Sequence, residues 1–339
     1  MAKKISANTP GKVTANDVAR RAGVSRWTVS RALTEGASIS PDTLERVRQA
    51  ALELGYRPNL LARSLTKKRT NIIGLVVDEL ANPNQLPILD EVTRQLQSKG
   101  YLSMLLNITS EHKGSTLSLA DQFQVSGLIF LGTVLTDELV CLAQEIRNIP
   151  LIVLYRSSDN PNIQVVTTDG YRGGREIAEL LIEQRYSRIG YMTGPFSEST
   201  QLQRLDGLRI GLAENNLEVS LILEARHYQR DYGFQALSRY LENTPQNARV
   251  EALFCENDIL AIGALDALRA RGETTPMAIV GFDDIELAAS PSYNLTTVRQ
   301  PLEELVTEAI RRLTADEETA SSYFASGTLV RRSSHLRQR

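Results

Sequence analysis

The sequence predicts a two-part fold: an all-α helix-turn-helix head, followed by an α/β body of two doubly wound lobes. Three observations lead there. Charge is unevenly divided, with residues 1–70 carrying 14 Lys+Arg against 5 Asp+Glu and the remainder 24 against 35. Inside the basic stretch, apolar residues recur at helical spacing and are punctuated by Gly23 and Gly55. Beyond Asn71, short apolar runs alternate with helical patterns, as buried parallel strands joined by helices do.

The first helix is expected to begin at Thr14-Ala-Asn-Asp17, where Thr14 caps the first turn and Asp17 lies near the positive helix end. Val18, Ala19 and Ala22 share its inner face, and Gly23 stops it because glycine tolerates positive φ. Ser25 is a natural N-cap for a second helix whose Val29, Ala32 and Leu33 point inward. Two short helices around a Gly-containing turn make a helix-turn-helix. Ser40 and Pro41 open a third helix with Leu44, Val47, Ala51 and Leu54 as its inner stripe and Gly55 as its end.

In this motif the second helix leads into the major groove with its N-terminal residues. Those are Arg26 and Trp27, then Ser30 and Arg31 one turn on. An arginine can donate paired hydrogen bonds to guanine O6 and N7. Trp27, the only tryptophan, either packs on a thymine methyl or sugar edge or caps the small core. Val24, Val29 and Leu33 already supply an inward face, which favours the first. A basic head on an acidic body points to a polyanionic partner, double-stranded DNA.

The segments VTANDVARRAGVSRWTVSRAL, YRPNLLARSL and VGFDD resemble the lactose-repressor/galactose-repressor family of bacterial transcription regulators. The resemblance places Arg26, Trp27 and Arg31 at base-reading positions and Ser25, Thr28 and Ser30 on phosphates, with Thr14 in the same DNA-contacting set. It makes residues 59–66 a hinge helix in the minor groove, paired with its copy from a second subunit. So short a helix is not stable alone in water. In it, Asn59 caps the turn, Ala62 permits close approach, and Leu65 wedges between central base pairs. Lys67, Lys68 and Arg69 neutralise nearby phosphates. The expected division is an arm (1–11), the head (12–57), the hinge and linker (58–70), the body (71–334) and a tail (335–339).

Candidate strands of the body are IIGLVVD (72–78), LSMLLN (102–107), GLIFLG (127–132), LIVLY (151–155), RIGYMTG (188–194), ALFCEN (252–257) and AIVGFDD (278–284). Candidate helices include LDEVTRQLQSKG (89–100) and GGREIAELLIEQ (173–184). The resemblance implies the periplasmic-binding-protein fold, with the chain crossing between lobes near 160, 290 and 325. Ligands in such folds bind beyond the carboxyl ends of the strands. Polar residues cluster there: Asp78, Asn82 to Gln85, Tyr155-Arg156, Asp169, Thr193 to Thr200, Asn257-Asp258 and Asp283-Asp284. His112, His227 and His335 are not expected at these ends.

By resemblance, Arg204 forks onto the effector, Asp283 accepts its hydroxyl or amine hydrogens, and Asn257 is a second-lobe contact. With Asn82, Gln85, Tyr155 and Thr200 they form the expected effector-binding set. Arg with Asp suits a polyhydroxylated ligand, so the expected effector is a sugar or sugar derivative. Alternatives stand beside these roles: Asp258 and Asp284 as helix caps, and Arg204 paired with Asp206 or a neighbouring carboxylate. The family often carries an aromatic wall after the first strand, where this chain has Asn82-Pro83-Asn84-Gln85. The segment Ile108–Leu119 also lacks the family's acidic helix start.

No stretch approaches the roughly 20 apolar residues of a membrane span, and MAKKISANTPGK has no apolar core like that of a secretory signal. A cytoplasmic protein is expected. Cys141 and Cys255 lie far apart in apolar runs and read as buried thiols. A solute-uptake protein is disfavoured by the basic head, and an enzyme by the lack of a Ser-His-Asp, Cys-His or metal constellation. No cofactor is expected. A homodimer is, because one head reads one half-site. TLVRRSSHLRQR carries no leucine heptad that would hold a tetramer.

Overall fold

A computed structural model describes residues 13–33, 38–57, 70–108, 113–146, 148–272, 277–315 and 322–337, which fall into two compact units, 1–70 and 71–339. In the first unit, α1 (Ala15–Ala22), α2 (Arg26–Ala32) and α3 (Pro41–Glu53) enclose a small core. Val18, Val29 and Val47 are its most buried residues, with Ala19, Ala22, Ala32, Ala50 and Ala51 around them. Helix α1 starts with the expected capping box: the Thr14 N–H and hydroxyl both donate to the Asp17 carboxylate, at 3.0 and 2.7 Å. Gly23 ends it in the left-handed region at φ 66°. Ser25 accepts the Thr28 N–H, and Ser40 the Thr43 N–H.

The second unit holds two lobes. Lobe one is built on β1 (Ile72–Val77), α4 (Gln85–Ser98), β2 (Leu102–Asn107), α5 (Lys113–Gln122), β3 (Gly127–Phe130), α6 (Asp137–Cys141), β4 (Leu151–Leu154) and β5 (Gln164–Thr168). Lobe two follows with α7 (Gly170–Glu183), β6 (Ile189–Thr193), α8 (Arg204–Ala213), β7 (Val219–Glu224), α9 (Arg230–Asn243), β8 (Ala252–Cys255), α10 (Asp258–Ala270) and β9 (Ala278–Val280). Strand β10 (Thr297–Arg299) leads the chain back to lobe one for α11 (Leu302–Thr314) and β11 (Tyr323–Ala325), and β12 (Thr328–Val330) returns to pair antiparallel with β10.

The lobe-one sheet runs β11-β5-β4-β3-β1-β2 and the lobe-two sheet β7-β6-β8-β9, each parallel throughout. Helices cover both faces, so the inner strands β1, β3, β4 and β8 are apolar at every position and alternate residues feed opposite cores. In β1, Ile73, Leu75 and Val77 join the core under α4 and α11, while Val76 joins the core on the other face. In β8, Leu253 and Cys255 face α9 and α10, while Ala252 and Phe254 pack towards α7 and α8.

The seven expected strands all form. Strands β5, β7, β10, β11 and β12 were not anticipated: QVVTT has two apolar residues of five, every second residue of VSLILE faces water, and the rest have three residues each. Recognising β5 moves the first passage between lobes from near 160 to just after Thr168, and β10 moves the second from near 290 to after Arg299. The third follows Ala325. Two further expectations need correction. Cys141 is only partly buried, its thiol donating to Glu145 at 3.3 Å, whereas Cys255 is buried. Residues 335–337 of the expected tail are packed: His335 is buried against Thr296, and Arg337 pairs with Glu251 at 2.7 Å. Among the described residues no helix is long and apolar enough to cross a membrane.

Candidate functional site

Two surfaces gather the residues singled out above. On the head, Val29 and Ala32 turn α2 inward, which leaves Ser25, Arg26, Trp27 and Ser30 exposed and Thr28 and Arg31 half-exposed. Trp27 is 66% exposed, so it does not cap the core. The Arg31 guanidinium lies over its ring, 4.5 Å from the centroid, and donates to the Ser38 carbonyl at 2.5 Å. Such stacking is a cation–π contact, in which the planar guanidinium meets the face of the indole. Asn59, Ala62 and Leu65, with Lys67, Lys68 and Arg69, lie outside the described residues.

The second surface is the cleft between the lobes of the body. In lobe one the strand order reverses between β1 and β3, and in lobe two between β6 and β8. Each reversal opens a crevice beyond the strand ends. Glu79, Asn82 and Gln85 follow β1, Thr133 follows β3, and Tyr155 and Arg156 follow β4; all line one cavity. From lobe two it receives Arg204, Tyr228, Asn257 and Asp283, and from the connecting segment Gln300.

Arg204 opens α8 with its side chain 6% exposed. Its guanidinium lies over Phe282 at 3.7 Å, donates to the Glu256 carbonyl, and reaches the Asp283 Oδ1 at 3.5 Å. Of the alternative partners, Asp206 faces Arg209 instead, at 3.5 Å, and the neighbouring carboxylate that Arg204 meets is Asp283. Gln300 donates to the same Asp283 oxygen at 2.7 Å. Burial lifts the Asp283 carboxyl to about 6, against the downward pull of Arg204 and Gln300. Asn257 caps α10 through Oδ1, bonded to the Leu260 N–H at 3.2 Å.

The cap is therefore Asn257 and not Asp258, whose buried carboxylate accepts from Thr297 at 2.6 Å and the Ile285 N–H at 3.0 Å. Asp284 pairs with Arg299 and Arg332, each at 2.7 Å. Tyr155, Gln203, Asp283 and Asp284 all hold positive φ, at 70°, 60°, 126° and 56°. Non-glycine residues seldom keep that conformation unless their surroundings enforce it, and such residues collect at binding sites.

The lobes meet across the cleft through polar contacts. Arg156 donates to the Tyr228 hydroxyl at 2.8 Å, which donates to Glu256 at 2.8 Å. The Leu135 N–H donates to Ser199 at 2.9 Å. Thr200, expected in the ligand shell, is not among the lining residues; its hydroxyl donates to the Thr133 carbonyl and ties the lobes together one layer back. His227, set aside in the sequence, stands 3.6 Å from Glu79 across the cleft, because the bend after β7 carries it there.

Six of the seven expected effector residues thus line one cavity. Sequence reasoning missed Glu79, Thr133, Tyr228 and Gln300 as lining residues. Glu79 directly follows Asp78 and could have been found from the strand end. Tyr228 and Gln300 follow an alternating strand and a three-residue strand that leave little trace in sequence. Among the described residues no group of three or more His, Cys, Asp or Glu is placed to hold a metal ion.

Residues 14–59 match the family described as bacterial regulatory proteins, lacI family, and residues 178–335 match the periplasmic binding protein-like domain. The chain is 31% identical to the HTH-type transcriptional regulator DegA of Bacillus subtilis (strain 168), over 88% of this chain and 90% of that protein. It is 33% identical to the HTH-type transcriptional regulator CelR of Thermobifida fusca, over 90% and 92%. Among solved structures it is similar to the lac repressor dimer bound to operator and the anti-inducer ONPF, with a TM-score of 0.80 and 26% identity over 96% of this chain and 99% of that one. The CelR–cellobiose complex matches with a TM-score of 0.68 and 27% identity over 95% and 99%.

Proposed function

The chain belongs to the lacI family of bacterial regulatory proteins, and from that premise we propose that it is a DNA-binding repressor that reads a palindromic operator as a homodimer under the control of a small molecule, a sugar or sugar derivative. The observation that carries this reading is the conjunction, in one chain, of a face with Arg26 and Trp27 exposed and Arg31 half-exposed and a polar cleft lined by Arg204 and Asp283. Its relatives are transcriptional regulators, and we read this chain as a cytoplasmic regulator without enzymatic activity.

Arg26 and Arg31 read base edges; Trp27 packs on a thymine methyl or sugar edge; Thr14, Ser25, Thr28 and Ser30 set the register on phosphates. Asn59, Ala62 and Leu65 act in the hinge. In the cleft, Asp283 and Arg204 take vicinal hydroxyls, and Asn82, Gln85, Tyr155 and Asn257 complete the contacts. Binding in the cleft alters how the lobes meet, and with it the spacing of the two hinges. Operator and effector affinities are then linked, each changing the other by the same factor.

Selection from a random DNA pool tests the reading, with Trp27 fluorescence confirming the winners. The expected result is a palindrome with a flexible central step, bound at about 10⁻⁸–10⁻¹¹ M and weakened steeply by salt. A folded protein that enriches no motif, with or without added cell extract, would overturn it. Arg31→Ala should relax base preference at one half-site position by about 1–3 kcal/mol. Equal loss on every sequence, measured by competition binding, would assign Arg31 to phosphates instead.

A further inference from the structure

The cleft holds buried polar oxygens that nothing among the described residues serves, two of them, on Glu79 and Gln85, acceptors. Three buried oxygens that belong to its lining have no partner among the described residues: Glu79 Oε2, Gln85 Oε1 and the Tyr155 hydroxyl. Gln85 is 8% exposed, and its orientation is unambiguous, since Nε2 donates to the Leu131 carbonyl at 3.0 Å and only an NH₂ can do so. Buried acceptors left unmet are costly, and native structures seldom keep them without a reason.

The charges point the same way. Asp78, Glu79, Glu256 and Asp283 stand in or beside the cleft against Arg156 and Arg204. Both guanidiniums are already engaged, Arg156 by Tyr228 and Thr133, and Arg204 by the Glu256 carbonyl and Asp283. Among the described residues Glu79 faces the Tyr228 backbone N–H, the ring of His227, which is half-exposed, and, with the smallest effect, the Arg156 guanidinium. Burial first, and Asp78 second, push the Glu79 carboxyl above its ordinary value. A buried carboxylate in this state gains most from an arriving cation.

A primary ammonium has three donors and no acceptor. We propose that Glu79 and Gln85, both on the segment that follows β1, form an ammonium subsite, so that the effector is a polyhydroxylated amine of the amino-sugar class. This rests on the reading of the cleft as the effector site. The hydroxyls of such a ligand meet Arg204 and Asp283, while its ammonium sits at the lobe-one end. Glu79 sets the specificity by its charge.

Calorimetric titration of the full-length protein with matched pairs tests this: glucosamine and glucose, galactosamine and galactose, glucamine and sorbitol, with glucuronate as an anionic comparison. At least one amine should bind at least about tenfold tighter than its hydroxyl twin. Glu79→Gln, with folding checked by melting temperature, should shrink that gap to about twofold or less. In the wild type the gap should also shrink as pH rises past the ligand amine's own pKa, a readout that needs no variant. Binding of a neutral or acidic sugar as tightly as any amine, failure of every amine to bind, or a gap that survives Glu79→Gln would overturn the ammonium subsite. A neutral sugar bound in a manner that Asp283→Asn abolishes would remove only that subsite. Ligands indifferent to both substitutions would remove the cleft as the effector site as well.

Discussion

Asp283→Asn should weaken a sugar effector by roughly ten- to a hundredfold, the loss of hydrogen bonds to a charged acceptor. Operator affinity without effector should stay within about twofold, since the head and the body are separate compact units. Titrating effector into the protein–operator complex measures both. A normal response would remove Asp283 from the ligand shell. The acid limb adds a second check. With its carboxyl at about 6, wild-type Asp283 gains a proton on mild acidification, so effector affinity should fall as pH drops through that value and stay flat in the variant. Stability runs the other way. Burial raises Asp283 and Asp258 from 3.8 to about 6 and about 7. Their contribution to folding is therefore fully present below 3.8 and is lost as pH climbs through those two values.

Gly207→Ala should cost about 3 kcal/mol, the upper part of the range for overpacking. Helices α7 and α8 touch backbone to backbone. A Cβ at Gly207 would lie 2.0 Å from the Tyr171 carbonyl oxygen, and one at Gly174 would lie 2.2 Å from that of Arg204. Neither neighbour is a side chain that can swing away, so one methyl must push the helices apart. The first residue of α8 is Arg204, so the variant should also lose effector affinity even where it folds. Urea unfolding followed by effector titration reads both effects; a variant as stable as wild type would mean that the helices yield more freely than their contact suggests.

How far these features were legible in the sequence depends on how local their cause is. The head was readable because capping residues and left-handed glycines act within a few positions: Thr14 with Asp17, Gly23, and Ser25 with Thr28. Inner strands such as IIGLVV and ALFC announced themselves as unbroken apolar runs. The edge strand β7 and the linking strand β10 did not, because half of VSLILE faces water and TVR is too short to show a pattern. The cleft followed the same rule. Asp283 and Asn257 sit at the ends of visible strands, whereas Tyr228 and Gln300 follow strands that left little trace, and His227 reaches Glu79 only through the tertiary fold.

The threefold passage of the chain between lobes has a consequence for synthesis. Lobe one is founded on β1 yet is completed by α11, whose Leu305, Val306, Ala309 and Ile310 cover its sheet, and by β11, which pairs with β5 at Tyr323↔Val166. A ribosome releases those pieces last, so the lobe stays open-faced until almost the whole chain has emerged. The head, held by contacts between neighbouring helices, is free to fold long before. A transcript cut short before residue 302 should therefore yield a folded head on an unfinished body, a fragment with an apolar sheet left uncovered and a natural target for proteolysis.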